Sequence, residues 1–351
     1  MDAITHIFLA LVITEAGFRK SLGLGAIFFA IFCALLPDVD YVLYSNQTLI
    51  GLSEQQGWTH SLILLTAISP ALAGVAWLID RWKRQEKRGS YRTWIHLAFW
   101  SLISHPLLEV FTPRGTQILY PMTKQRYAID AIGTIDLLYT LPLAFAAFLS
   151  LQTKSNRRAS RWVSRFALLI STVYIGVSYG YSMYIIQKAK SQFLQIGFTP
   201  RQIRAIPPIF FSPIRRAIAI DEKGNLMMAT YSIFSSRPPI SSQKIIEPDP
   251  LIEQVLTSEQ GERFFELTGN FVTVAKTKDE IRLLDARYGF FTNPWESSFS
   301  VTVPIQPSGK LGVLQIDDKK RYNSIDEEFH AGWQIMLGKK EYENTEKDEI
   351  Q

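Results

Sequence analysis

The feature that most constrains this chain is a series of apolar stretches confined to its first half, at roughly 7–18, 22–44, 61–79, 94–111, 137–151 and 166–186. A hydrocarbon core about 30 Å thick needs roughly 20 helical residues. The second, third, fourth and sixth stretches are long enough to span it, and the first and fifth are short enough to lie partly in the interface. Backbone in lipid has no water to bond, so these stretches are expected as helices, six in all, forming a membrane α-helical bundle over residues 1–190. The first stretch lacks the basic n-region of a signal peptide, since the chain starts Met1-Asp2 and Arg19-Lys20 follow the apolar run. It is expected to remain as a helix of the bundle.

Charge divides the chain at the same place. Residues 1–190 hold 18 Lys and Arg against 10 Asp and Glu, and residues 191–351 hold 19 against 22. An apolar, basic half is therefore joined to a water-soluble, slightly acidic one, which excludes one compact soluble domain. The overall charge of +5 does not point to nucleic acid, because the basic residues cluster between apolar stretches. Loop 81–92 carries Arg81, Lys83, Arg84, Lys87, Arg88 and Arg92, loop 154–165 carries Lys154, Arg157, Arg158, Arg161 and Arg165, and Arg19-Lys20 join the first two helices. The positive-inside rule makes these loops cytoplasmic. The connection at 45–59 has no Lys or Arg, and 112–135 has Arg114, Lys124 and Arg126, so both are expected outside, as is the C-terminal half after six spans. The single cysteine, Cys33, excludes an internal disulfide, and without a CxxC pair any metal must sit on His, Asp and Glu.

The second half, 201–337, reads as a soluble α+β domain. Residues 214–220 and 226–234 flank the turn-rich Asp221-Glu222-Lys223-Gly224-Asn225 and predict a hairpin. A helix is expected near 248–267 and strands near 270–276, 279–285, 298–305 and 311–317. The Pro-rich pieces at 207–213 and 238–250 read as loops, and the charged tail at 338–351 as disordered.

Ionisable groups in or beside apolar helices are costly and usually mark a site. Asp2 and His6 are four apart, as are His105 and Glu109, a spacing that puts each pair on one helix face within reach of one ion. Asp38 and Asp40 end the second stretch in Leu36-Pro37-Asp38-Val39-Asp40, where the proline loosens the helix. His60 opens the third helix in Gly57-Trp58-Thr59-His60-Ser61, and Asp130 and Asp136 precede the fifth. The topology, derived from Lys and Arg alone, sets all of these at the outer side. Asp2, His6, Asp38, Asp40, His60, His105, Glu109 and Asp136 are the candidate ligands for zinc or another divalent ion, able to lower the pKa of bound water to about 7. Asp2 and Asp136 have a second reading as helix caps, and Asp130 as a solvated carboxylate. His96 lies nine residues before His105, about 180° round the helix, and is left out of the set. His330, beside Glu327 and Glu328, reads as a surface residue, and Trp77, Trp82, Trp94 and Trp100 as interface and packing residues.

Met1-Asp2-Ala3-Ile4-Thr5-His6, Leu36-Pro37-Asp38-Val39-Asp40, Gly57-Trp58-Thr59-His60-Ser61 and the run from His105 through Pro113-Arg114-Gly115-Thr116-Gln117 together resemble the YdjM-like family of bacterial inner-membrane proteins, labelled metal-dependent hydrolases. The resemblance covers residues 1–150. The soluble half resembles that of longer members, anchored at Leu284-Asp285-Ala286-Arg287-Tyr288-Gly289. It implies a hydrolase and a distant kinship with zinc phospholipase C and the related zinc nucleases, whose HxxxE ligand pair His105 and Glu109 resemble. Two departures stand out. Glu109 replaces the usual Asp and keeps the carboxylate at longer reach. Gln55-Gln56 replace His-Arg, and glutamine is a poor substitute for a histidine ligand, so Gln55 marks either a weakened metal position or a substrate contact, the second being the expected one.

The function expected from these readings is a multi-pass, inner-membrane, metal-dependent hydrolase acting on a phosphoester in lipid or lipid-linked material, with Asp38 or Glu109 accepting a proton. Membrane lipid is the expected partner and nucleic acid is not. The rival is a non-enzymatic metal-binding membrane protein, whether regulator, partner or transporter; a transporter would carry polar groups at mid-depth rather than at one edge. GxSxG, HExxH and P-loop patterns are absent from the sequence, which removes support for serine hydrolysis, zincin proteolysis and NTP hydrolysis.

Overall fold

A computed structural model of the chain describes residues 1–44, 49–83, 89–152, 157–235, 240–245, 248–308, 310–316 and 325–337. The charged tail at 338–351 lies outside the described residues, as do Arg84, Lys87, Arg88 and Lys154 of the basic loops. The chain forms two compact units, Met1–Asn46 with Glu54–Gly180, and Gln47–Ser53 with Tyr181–Gln351.

The first unit is helical. Helix α1 (Ala3–Ile13) starts where the Asp2 carboxylate accepts the Thr5 N–H at 2.9 Å, and a π turn at Thr14–Phe18 leads into α2 (Arg19–Leu22). Helix α3 (Gly25–Leu35) gives way at Pro37, which has no N–H for the ladder, to a 3-10 turn at Leu36–Asp38 and then α4 (Val39–Leu43). After α5 (Leu49–Glu54), counted mostly with the second unit, a 3-10 turn at Trp58–His60 precedes α6 (Leu62–Lys83). Then follow α7 (Tyr91–Val110), started by the Ser90 side chain accepting the Thr93 N–H, α8 (Leu137–Gln152) and α9 (Arg157–Gln195).

Among the described residues, three stretches are long and apolar enough to cross a membrane: Gly25–Leu43, Leu62–Trp82 and Arg158–Gln195. The other three apolar stretches expected as spans are helical as well but fall short of that measure. The apolar run of α1 is only 11 residues long before the π turn. Helix α7 has the length but carries Arg92, His96, His105 and Glu109, and α8 stops at 16 residues. Packing inside the unit uses small side chains. Ala10, Ala26, Ala30, Ala73 and Ala98 are fully buried, together with Leu97 and Leu102, and bring α1, α3, α6 and α7 close together. Close backbone approach of this kind is what drives helix association where lipid removes the hydrophobic incentive. The outward surface is apolar, with Leu64, Ile68, Val75 and Leu78 on α6, Leu141, Phe145 and Phe148 on α8, and Phe166, Leu169 and Val173 on α9 all exposed. Such a surface suits hydrocarbon, not water.

Among the described residues, the second unit holds two four-stranded antiparallel meanders. The first runs β1 (Gln202–Ile206), β2 (Ile214–Ile220), β3 (Leu226–Ser232) and β4 (Ile240–Lys244) in sequence order. The expected hairpin is β2–β3, with Ile220 opposite Leu226 and Asp221 Oδ1 accepting the Lys223 and Asn225 N–H groups across the turn. The second sheet follows α10 (Pro250–Leu256) and α11 (Glu259–Thr268) and runs β5 (Val272–Lys276), β6 (Glu280–Asp285), β7 (Ser300–Pro304) and β8 (Gln315–Ile316). The single helix expected near 248–267 is two, because Ser258 caps a new start by accepting the Gly261 N–H. Two strands and the last helix, α12 (Ile325–Met336), escape the sequence reading; β4 in particular falls in a segment read as loop. The Leu284–Gly289 anchor is structural. Arg287 and Asp285, both buried, are joined through two guanidinium nitrogens, and Arg287 also donates to the Leu267 carbonyl.

Candidate metal centre

The site forms where the 3-10 turn after α3, the 3-10 turn before α6 and the last turns of α7 meet. Each contributes for a local reason. Pro37 breaks the helical ladder and turns Asp38 away from the α3 axis. Gly57 makes the approach to His60 possible, since a Cβ there would lie 2.7 Å from the Glu54 carbonyl oxygen and 3.3 Å from Gln117 Oε1. Its neighbour Gln56 adopts φ +55, a left-handed conformation that a non-glycine residue holds only when its surroundings compel it. Here the Gln56 N–H donates to Asp40 Oδ2 at 2.7 Å and its side-chain amide donates to Glu109 Oε1 at 2.8 Å. Helix α7 supplies His105 and Glu109 one turn apart, as their spacing predicts.

Asp38, His60, His105 and Glu109 offer four ligand atoms that all lie within 4.8 Å of one another. His105 Nε2 is 3.3 Å from Asp38 Oδ1 and 3.7 Å from Glu109 Oε1, and His60 Nε2 is 3.1 Å from Glu109 Oε2 and 3.8 Å from Asp38 Oδ1. Ligands about 2.0–2.1 Å from a tetrahedral ion are about 3.3 Å apart, so the observed spacing suits a single cation. The tautomers suit it as well. His105 Nδ1 lies 2.6 Å from the Ala34 carbonyl oxygen, which can only accept, so Nδ1 carries the hydrogen and Nε2 is left with a lone pair. The Thr59 hydroxyl donates to Asp40 Oδ2 at 2.9 Å and stands 2.9 Å from His60 Nδ1, so it accepts from that nitrogen and again leaves Nε2 free. Both Nε2 atoms and Glu109 Oε2 are buried without a hydrogen-bond partner. Unpaired acceptors facing one another out of water are costly, and a divalent cation between them removes the cost. The donor set of two imidazoles and two carboxylates fits such an ion.

Burial pulls the His60 imidazole down, but the Glu109 carboxylate and the bonds to Asp40 and Glu109 outweigh it and raise it to about 9. Without an ion, a proton on His60 Nε2, 3.1 Å from Glu109 Oε2, stands where the cation would otherwise join the two acceptors. The Met1 amino nitrogen, 2.8 Å from Glu109 Oε1, supplies a second positive charge.

Of the remaining sequence candidates, Asp40 and His6 touch this cluster. Asp40 is fully buried and takes the Gln56 N–H and Thr59 hydroxyl, with His60 Nδ1 3.4 Å away, so it stands behind His60. His6 is buried with its ring stacked 3.7 Å from that of His105, and neither of its nitrogens has a hydrogen-bond partner. Asp2 spends both oxygens on Thr5 as the cap of α1. Asp136 accepts from the Tyr139 N–H and the Tyr174 hydroxyl at the start of α8. Asp130 has φ +57 and is buried. His96 is exposed on α7, and His330 is exposed on α12. Gln55 accepts from Arg114 Nη2 at 2.7 Å, so the amide that reaches the cluster belongs to Gln56, to which the sequence alone assigns no role. Its adjacency to Gln55 was the only available signal.

A family model described as YdjM inner membrane protein matches residues 1–186. The chain belongs to the YdjM family. The matched segment holds all four clustered residues and every apolar stretch of the first unit, in keeping with an inner-membrane protein that carries a candidate metal site. Over 103 residues the chain is 25% identical to the uncharacterized protein YfhP of Bacillus subtilis (strain 168), an alignment covering 28% of this chain and 29% of that relative. The chain therefore spans under a third of the length of the relative it matches. No solved structure matches it.

Proposed function

We propose that the protein is a membrane-bound, metal-dependent hydrolase whose ion, zinc as the leading choice, is held by Asp38, His60, His105 and Glu109, and whose substrate is a phosphoester in lipid or lipid-linked material. The observation that carries this reading is the pair of buried, unpartnered Nε2 atoms aimed with two carboxylates at one point. When bound, the ion supplies a Lewis acid and lowers the pKa of a water in its coordination sphere to about 7. The chain's own residues divide the rest of the work. His60 and His105 are locked in tautomer and orientation by Thr59, Asp40 and the Ala34 carbonyl, so their lone pairs need no rearrangement. Glu109 is tied by Gln56, by the Met1 amino group and by its place beside His60. Asp38 is the residue left to accept a proton, because its side chain keeps 21% of its surface and makes no hydrogen bond among the described residues. A base must reach the water it serves, and Asp38 alone of the two carboxylates has both the access and a free oxygen. The arrangement sits outside the cytoplasm together with the C-terminal domain, a reading supported by the basic loops at 81–92 and 154–165.

The test is the metal content of the detergent-purified chain, followed by a panel of phosphodiesters and phosphomonoesters with and without chelator. Metal bound in equal ratio with no turnover of any ester would favour the non-enzymatic reading instead.

A further inference from the structure

Arg114 carries a positive charge that the metal cluster does not neutralise. Its guanidinium is half-buried, donates from Nη1 to the Tyr41 hydroxyl at 3.1 Å and from Nη2 to Gln55 Oε1 at 2.7 Å, and lies 5.7 Å from the Tyr41 ring centroid. Both acceptors are neutral, and among the described residues no carboxylate lies within ion-pair distance of it. Its partners place it at the cluster. Tyr41 follows Asp40 and lies three residues after Asp38, and Gln55 precedes Gln56, which bonds both Asp40 and Glu109. The arginine is also held firmly. Gly115 next to it has φ +71, and a Cβ there would lie 3.0 Å from Ala128 Cβ and the Tyr127 carbonyl, while Thr116 and Tyr127 exchange backbone hydrogen bonds. Arg126 donates to the Gln55 main-chain carbonyl and so braces the backbone that carries this side chain.

A guanidinium has five donors, of which two are used here. Two neutral acceptors fix its plane and leave its charge and its other N–H groups unanswered, which is costly for a half-buried cation without an anion to receive them. The carboxylates of Asp38, Asp40 and Glu109 against a divalent ion and the Met1 amino group sum to about zero, so this arginine gives the site a net positive charge. We infer that Arg114 is the anion-recognition residue of the centre: held by Tyr41 and Gln55, it binds non-bridging oxygens of a phosphoryl group that also meets the metal position, and so selects anionic phosphoesters over neutral esters and amides. The assignment rests on the metal centre at Asp38, His60, His105 and Glu109. It also gives Gln55 its role, as the side chain that orients Arg114 toward substrate rather than as a ligand.

The experiment uses the full chain, purified in detergent and loaded with zinc, with inorganic phosphate as probe and calorimetry as readout. Zinc content and thermal midpoint are measured in parallel on Arg114→Ala and Arg114→Lys. Arg114→Ala should bind phosphate at least about 10-fold more weakly, the loss expected for a charge-assisted hydrogen bond, with zinc content unchanged. Arg114→Lys should fall between, since it keeps the charge without the planar fork. A second arm replaces phosphate with short-chain phosphatidic acid; tighter binding than phosphate with the same Arg114 dependence identifies a lipid headgroup as the source, and equal binding identifies a soluble phosphoester, each supporting the inference. Phosphate binding that is absent from the zinc-loaded parent, or equal in the parent and Arg114→Ala, overturns it. Loss of zinc in both Arg114 variants also overturns it, by making the arginine structural. A parent that takes up no zinc overturns the metal reading itself, and is recognised by zinc content before any phosphate is added.

Discussion

Replacing Asp40 with asparagine separates a residue that holds a ligand from one that is a ligand. The substitution keeps the side-chain shape and an oxygen to accept the Gln56 N–H and the Thr59 hydroxyl, now 2.7 and 2.9 Å away, and removes the charge 3.4 Å from His60 Nδ1. Losing an outer partner of a metal-bound histidine costs about 10–100-fold in affinity, or about 1.4–2.8 kcal/mol. A second effect has the opposite sign. In the ion-free protein Asp40 is one of the groups that raise His60 to about 9, so below that pH an incoming ion must displace a proton. Asparagine lets that proton go at lower pH and reduces the competition. The affinity deficit of Asp40→Asn should therefore be largest near pH 9 and smaller at pH 6. Zinc titration against a chromophoric chelator, at pH 6, 7, 8 and 9, measures both effects. A loss as deep as that of His60→Ala at every pH would mean that Asp40 binds the ion directly, and no loss at any pH would remove it from the site.

His60→Ala and His105→Ala should each reduce zinc affinity beyond the roughly 100-fold upper range for outer partners, while His96→Ala should leave it unchanged; equal retention in all three would remove support for the centre. In the parent, apparent zinc affinity should rise about tenfold per pH unit, hence about 100-fold from pH 6 to 8, and level off near the His60 value of about 9, where the ring no longer carries a proton to displace. A flat profile over that range would show that no proton leaves on binding. Cysteines introduced one at a time after residue 200 should react with a membrane-impermeant reagent applied to intact cells, and labelling only in inverted vesicles would contradict the outer placement derived from the basic loops.

Much of this protein could be read from its sequence because the decisive signals are local. Apolar runs near the length of a bilayer announce helices wherever their neighbours lie, and Gly25–Leu43, Leu62–Trp82 and Arg158–Gln195 follow from composition alone. The four-residue step from His105 to Glu109 sets both on one face by helix geometry, and the Pro37 break beside Asp38 is equally local. The hairpin at Asp221–Asn225 follows from turn chemistry. Tertiary structure decided what no period encodes. Carboxylates of one type became candidate ligand, support or cap according to what packed beside them: Asp38 at the cluster, Asp40 behind His60, Asp2 and Asp136 on helix starts. Gln55 and Gln56 are adjacent and alike in composition, yet the left-handed backbone at Gln56 sends one amide to Arg114 and the other to Glu109. Strand β4, polar and without alternation, exists because Leu226–Thr230 on β3 offers it an edge to pair with. Helix periodicity and turn preference act within a few residues, whereas the direction of a side chain in irregular backbone, and the pairing of a polar strand, are settled by groups far away in the chain, which only the assembled fold brings within reach.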